Sequence, residues 1–413
     1  MAAAEKLTKP LENRLFRMLW ASVLISNVGS MIQSVSAGWL MATITESEDL
    51  VALVQTATSL PVMLFSLLAG ALADNFDRRR QMFVAQTFMF IVSIALTAIT
   101  FAGGITPALL LAGTFVLGCG TALSIPAWQA SLRDLVRRED LPSAVTLNSM
   151  SYNFTRSVGP AIGGILVATF GAALAFMVNA VSYVPILVSL RRWRKTGGAP
   201  DLPREPLGQA IGAGIRYVAM SPHLFQVIAR SFLFSFSGVA IMAMLPLLTR
   251  DTLALGATAY GLLFGSFGLG AVAGAMNSAR LRTWLSNEKL ARFGSLGFAA
   301  SIALIGGVRT IWVAMLCLPI AGACWVLTIS LFNTTVQMWT PRWVVGRCMS
   351  IYQTAVFGGM ALGSWSWGLI ALRSGAPQVL LYAAASVVIS VLLGMRHPLP
   401  SDLYMDLSPL GEF

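Results

Sequence analysis

The stretch GALADNFDRRRQ, Gly70–Gln81, crowds two acids and three consecutive arginines between two runs that carry no charge. Asp74, Asp77, Arg78, Arg79 and Arg80 are ion-pairing groups, and such arginines can pair with acids on neighbouring helix ends. Other reactive residue types do not converge. The 4 cysteines, Cys119, Cys317, Cys324 and Cys348, lie in or beside apolar runs without a CxxC or metal-ligand spacing. They read as small packing residues. The 2 histidines, His223 and His397, flank apolar runs far apart in sequence. The string GLGAVAG from Gly268 spaces its glycines as GxGxxxG inside an apolar run, which is not a dinucleotide loop. No GK[ST] occurs to cradle a nucleotide phosphate. The expectation is therefore no catalytic constellation, no metal and no cofactor, and an enzyme reading has no support.

The elements that carry these residues are set by composition. Only 11% of the 413 residues are charged and 56% are hydrophobic. The mean hydropathy is +0.74. A soluble domain carries about 25% charged residues, so most of this surface faces lipid. A spanning helix needs about 20 mostly apolar residues. Twelve runs qualify: 16–42, 50–73, 82–102, 106–128, 144–169, 172–190, 224–249, 258–279, 289–307, 310–333, 344–371 and 376–395. The first is longer than the apolar region of a signal peptide and reads as a retained span. The expected fold is an all-α membrane protein of twelve transmembrane helices in two six-helix bundles.

Basic residues test that count, because they concentrate in cytoplasmic loops. With the N-terminus inside, all of the 28 lysines and arginines except Arg156, Arg250, Arg309 and Arg373 fall in segments that this topology places inside. One span more or fewer would invert every later loop. The net charge of +11 thus reads as topology, with no nucleic-acid partner, and both termini are expected in the cytoplasm.

The chain divides at a charged, Gly/Pro-rich stretch, RRWRKTGGAPDLPREPLGQ. The predicted units are an N-terminal bundle, 1–190; a linker with a possible interfacial helix, 191–222; a C-terminal bundle, 223–397; and a tail, 398–413. The halves align with each other. VTLNSMSYNFTRSVGPAIGG from Val145 lies over VGRCMSIYQTAVFGGMALGS from Val345 at a shift of 200. LLAGALADNFDR from Leu67 lies over AVAGAMNSARLR from Ala271 at a shift of 204. Repeated halves are a transporter architecture, with the substrate near the midplane between them.

Twelve spans, the repeat and the charged turn between spans 2 and 3 resemble the major facilitator superfamily. Its signature in that turn, G-x-L-a-D-r-x-G-r-k, is matched by Gly70, Leu72, Asp74, Arg78 and Arg79, while Asn75 and Asp77 depart from it. LADNFDRRR, LRDLVRREDLPSAVTLNS and LPLLTRDTLALGATAYGLLFGSFGLGAVAGA look like the bacterial exporters grouped around the enterobactin exporter. The resemblance implies a multi-pass protein of the bacterial inner membrane that works by alternating access. It implies that Gly70, Asp74, Arg78 and Arg79 form a latch, with Asp74 near the start of span 11, whose free amides favour an anion. It also matches RSVGPAIGG to the G-P-x-x-G-G element of span 5 in the family's antiporters, through Gly159, Pro160, Gly163 and Gly164.

An ionisable group inside a span is a functional hypothesis by default. None of the 17 acids lies clearly in one, and Asp134, below span 4, is the nearest candidate for a proton carrier. Arg156 is the intramembrane charge, whereas Arg230 is shallower and expected to snorkel. Asn27, Gln33, Gln55, Tyr152, Asn153, Asn333, Tyr352 and Gln353 are the polar and aromatic residues that could line a pathway with Arg156. A site without a buried carboxylate favours a neutral or anionic amphipathic substrate. The expected function is proton-coupled export of such a small molecule, a siderophore, drug or metabolite. A facilitator or importer of the same fold, and a non-transporting sensor or scaffold, are the alternatives.

Overall fold

The computed structural model describes residues 8–75, 77–137, 139–193, 207–341, 344–395 and 399, without the side chains of 70–75, 142, 153, 157, 207–211, 213, 279 and 283. After a 3-10 turn at Lys9–Glu12 come α1 (Arg14–Ile44), α2 (Glu48–Asn75), α3 (Arg78–Phe101) and α4 (Pro107–Leu135). Leu141–Arg192 is helical throughout except at Gly171, whose φ of 81° and ψ of 170° break it into α5 (141–170) and α6 (172–192). Glycine meets that left-handed φ without a Cβ penalty. The chain continues through α7 (Leu207–Met220), α8 (Pro222–Leu247), α9 (Ala257–Trp284), α10 (Asn287–Val308), α11 (Ile311–Met338), α12 (Val345–Ser374) and α13 (Ala376–Met395).

Among the described residues, 11 helical segments are long and apolar enough to cross a membrane. The segment Ser143–Arg192 has 50 residues, about 75 Å of helix. Broken at Gly171, it supplies two crossings of an apolar layer about 30 Å thick. The crossings are the expected twelve, and α7 is the extra helix of the linker. It packs on α12 and α8, with Gly214 against Arg347 and Ile215 and Met220 exposed.

Helix starts are fixed by local chemistry. Asn13 Oδ1 accepts from the amides of Leu15 and Phe16 at the start of α1, while its Nδ2 donates to Leu135 O at the end of α4. Asp77 caps α3 by accepting from the amides of Arg79 and Arg80. Thr106, followed by Pro107 in the first turn, caps α4. Side chains facing outward along the spans are apolar, as at Val84, Ile91, Val181, Leu269 and Leu316. These are surfaces for acyl chains, because a water-facing helix would be polar there.

α1 packs on the α5–α6 hairpin, α2 on α4, and α3 on α4 and the hairpin. In the second half α8 packs on α12 and α13, α9 on α11, and α10 on α11 and α13. The halves meet chiefly where α2 lies along α12 and the hairpin lies along α9. These are the two pairs that the internal repeat exchanges. One end of the bundle collects the basic turns: Arg78 with Asp134 across α2–α3 and α4, Lys9 with Asp140, and Arg230 with Glu288. It is called the basic end below. The turns at 45–48, 171, 248–256, 309–310 and 375 form the opposite end.

Candidate transport pathway and its closures

Small residues let the two halves touch at the opposite end. A Cβ on Gly164 of α5 would stand 2.4 Å from the Cα of Gly261 in α9 and 2.8 Å from Ala257 O. Only two glycines facing each other permit that approach. Gly163 lies against α1, where a Cβ would be 3.1 Å from the Cα of Ile32, and a Cβ on Gly159 would meet Met31 at 2.5 Å. The glycines of GPAIGG are thus shared between α1 of their own half and α9 of the other. Nearby, the Trp39 and Tyr260 rings stack with centroids 5.8 Å apart. Along α2 and α12, the Thr56 and Ser364 hydroxyls are 2.7 Å apart and those of Ser66 and Thr354 are 2.8 Å apart.

Arg250 closes this end electrostatically. It sits in the π-helical turn Leu248–Thr252 that extends α8, and its guanidinium donates to Ala42 O and Thr45 O at the end of α1. Those carbonyls are acceptors that α1 cannot satisfy itself, and a cation is favoured there. Asp251 holds the guanidinium through Nη2–Oδ2 at 2.8 Å. Arg250→Ala is expected to open this end by about 1–2 kcal/mol, the worth of charge-assisted bonds discounted for partial exposure. Labelling of a cysteine placed at the buried Ala42 should rise several-fold. High salt should reproduce part of that rise in the wild type and none in the variant.

The predicted pathway residues separate into groups. Arg156 on α5 is half-buried, with its guanidinium 5.7 Å from the centroid of the Tyr152 ring one turn earlier. Tyr152 is 46% exposed. A half-buried cation at that depth is stable in a watered cleft and costly in hydrocarbon. Asn27, Gln55, Asn333 and Gln353 are also half-buried. Gln55 donates to Ser59 at 3.2 Å, and Asn333 accepts from Gln337 at 2.7 Å. Tyr352 is 1% exposed and donates to Ile329 O at 3.0 Å, which ties α12 to α11. The side chains of Gly70, Asp74 and Asn153 lie outside the described residues.

The charged turn is bound within its own half. Arg78 donates to Asp134 Oδ2 at 2.9 Å and to Ala130 O at 3.2 Å, both on α4. Arg79 donates to Leu190 O at 2.7 Å and Arg191 O at 3.2 Å, capping the last turn of α6. Asp134, the nearest candidate for a proton carrier, is therefore an ion-pair partner of Arg78.

Two polar groups emerge that the sequence reading missed or misplaced. Asn179 of α6 is fully buried; its Nδ2 donates to Ser93 Oγ of α3 at 3.0 Å and lies 3.5 Å from Gln33 Oε1 of α1. Tyr183 packs into the same group against Ser30 and Ser93. Gln33 thus belongs to a polar knot inside the first half. Asn179 carried the same signal as Gln33, an amide in an apolar run, but nothing in the sequence paired them. Arg230 does not snorkel. It is 9% exposed, donates to Glu288 through Nη1 at 2.8 Å and lies 5.9 Å from the Phe332 ring centroid. Glu288 also accepts from Arg292 and from the amide of Leu399. The partner was available two helices on, at the start of α10, so the arginine gained more by pairing inside than by reaching for the interface.

Comparison with known proteins gives this arrangement a class. The family described as transmembrane secretion effector matches residues 6–413. The D-xylose-proton symporter superposes with a TM-score of 0.75 at 14% identity, covering 94% of this chain and 98% of its own. A bacterial homologue of the lysosomal transporter Spinster gives 0.70 at 14% identity, over 94% and 95%. The chain is a multi-pass membrane transporter and not an enzyme; it belongs to the transmembrane secretion effector family of the major facilitator superfamily. The enterobactin exporter EntS of Shigella boydii serotype 4 is 26% identical over 356 residues, 84% of this chain and 83% of that one. The staphyloferrin A transporter of Staphylococcus aureus (strain NCTC 8325 / PS 47) is 24% identical over 310 residues, 74% and 77% of the two chains.

Proposed function

We propose that this transporter exports an amphipathic small molecule, neutral or anionic, from the bacterial cytoplasm across the inner membrane. Siderophores, drugs and related metabolites form the substrate class. The observation that carries this reading is Arg156, a half-buried cation within a span that lies over the Tyr152 ring. A cation over an aromatic face suits an aromatic or acidic solute. The two relatives named for siderophores point the same way.

The basic end and both termini face the cytoplasm in this proposal, following the distribution of lysine and arginine. Closure through Gly164, Gly261 and Arg250 then makes this the inward-open state. The turn holding Gly70, Asp74, Arg78 and Arg79 acts as the latch of the other state, formed when the basic ends of the halves come together. A contact made in one state only biases the equilibrium by its own free energy. The proton gradient is the proposed drive.

Uptake into inverted vesicles over a panel of anionic, neutral and cationic compounds tests the reading. Arg156→Ala is expected to lower uptake of anionic substrates about tenfold or more, as the loss of a charge-assisted contact implies. Preference for permanent cations would refute the substrate class. Uptake indifferent to an imposed pH gradient would favour the facilitator alternative.

A further inference from the structure

The outward surface of the first half carries a feature that the transport reading does not use. On α3, Arg80, Val84 and Phe88 recur every fourth residue and are all exposed. Such a spacing puts them on one helix face. On α6, which packs against α3, Val184 and Val188 are exposed at 43% and 42%, and Arg191 and Arg192 follow one turn later. The two helices are antiparallel, so both apolar faces run toward the basic end and both finish in arginine.

One of these cations reaches across to the neighbouring helix. The Arg191 guanidinium lies 5.5 Å from the centroid of the Phe83 ring, which places the α6 charge against the second turn of α3, three residues past Arg80. Arg79 is spent on the carbonyls of Leu190 and Arg191, which screens the negative end of the α6 dipole beneath them. Among the described residues none of Arg80, Arg191 and Arg192 stands in an ion pair. From Val84 to the exposed Ala95 the α3 face rises about 16 Å, close to half of an apolar layer about 30 Å thick.

We infer that the α3–α6 seam at the basic end is a seat for one anionic phospholipid, its phosphate held by Arg80, Arg191 and Arg192 and its acyl chains laid along Val84, Phe88 and Val188. Charge and length select this occupant. A phosphodiester complements three cations at headgroup level, and the apolar strip below them is one leaflet deep. A zwitterionic lipid fits the strip but presents its own cation to the arginines. Basic clusters between spanning helices at a membrane surface bind anionic headgroups in this way.

The test is native mass spectrometry of the purified full-length protein, titrated with equal amounts of phosphatidylglycerol and phosphatidylethanolamine. The wild type is expected to retain one phosphatidylglycerol in preference. Retention should fall about fivefold in Arg80→Gln and roughly 30-fold in the Arg191→Gln/Arg192→Gln pair, from the usual effect of a cation near an anionic surface. Val188→Trp, which fills the strip and keeps every charge, should also lose the lipid. Arg137→Gln, an exposed arginine of the α4–α5 turn, should bind like the wild type. Equal retention of the two lipids, undiminished binding in the arginine pair or in Val188→Trp, or an equal loss in Arg137→Gln would overturn the assignment. Thermal unfolding of each variant separates lost lipid from lost fold, and Arg80→Gln serves if the pair does not fold.

Discussion

Gly164→Leu is expected to abolish closure of the opposite end and to cut transport at least tenfold. Even a single methyl at this position would stand 2.4 Å from the Cα of Gly261, and backbone cannot swing aside as a side chain can. Relief requires α5 and α9 to separate. Overpacking of this kind typically costs 1–3 kcal/mol, which moves a two-state equilibrium by roughly five- to 150-fold. The protein still folds, because the state with this end open has no such contact to make. A cysteine at Ala42 or Ser47 should therefore label faster while the unfolding midpoint stays near that of the wild type. Gly307→Ala is the control: its added methyl meets nothing within 4 Å, and both readouts should be unchanged. Wild-type labelling in Gly164→Leu would show that these helices do not form the closure.

Glu288→Ala is expected to act on stability instead. The carboxylate and Arg230 have side chains only 13% and 10% exposed, and Glu288 also receives Arg292 and the Leu399 amide. Removing it leaves a buried guanidinium with its counter-charge gone, a loss of about 3 kcal/mol or more. The detergent-solubilised protein should unfold at a clearly lower temperature. The double variant Glu288→Ala/Arg230→Met should recover much of the loss, because both charges are then gone and an apolar chain fills the space. A double variant no better than the single one would mean that the site is held by packing rather than by charge.

The number of crossings and the division into halves could be read because they follow from one-dimensional signals, the length of apolar runs and the placement of arginine. The break between spans 5 and 6 was legible for the same reason: Gly171 falls between the predicted ends at 169 and 172, and its positive φ makes the turn there. The glycines of GPAIGG were legible as close-packing residues. Their partners were not, since Gly261 is almost a hundred residues away and Met31 and Ile32 look like any apolar pair. Arg230 was misjudged for a related reason. Depth along its own helix was visible, but the acid waiting on α10 is a fact of packing. Asp77 departs from the family pattern, and the structure gives it a local task, capping α3 just ahead of the arginines.

The knot of Gln33, Ser93 and Asn179 also sets an order of events during synthesis. Gln33 and Ser93 enter the bilayer long before Asn179 has been translated, and each leaves polar atoms without their native partner until it arrives. A chain arrested before α6 is inserted is therefore expected to lack these contacts between α1, α3 and α6. Insertion of α6, which brings Asn179 against α1 and α3, is the step that completes the knot.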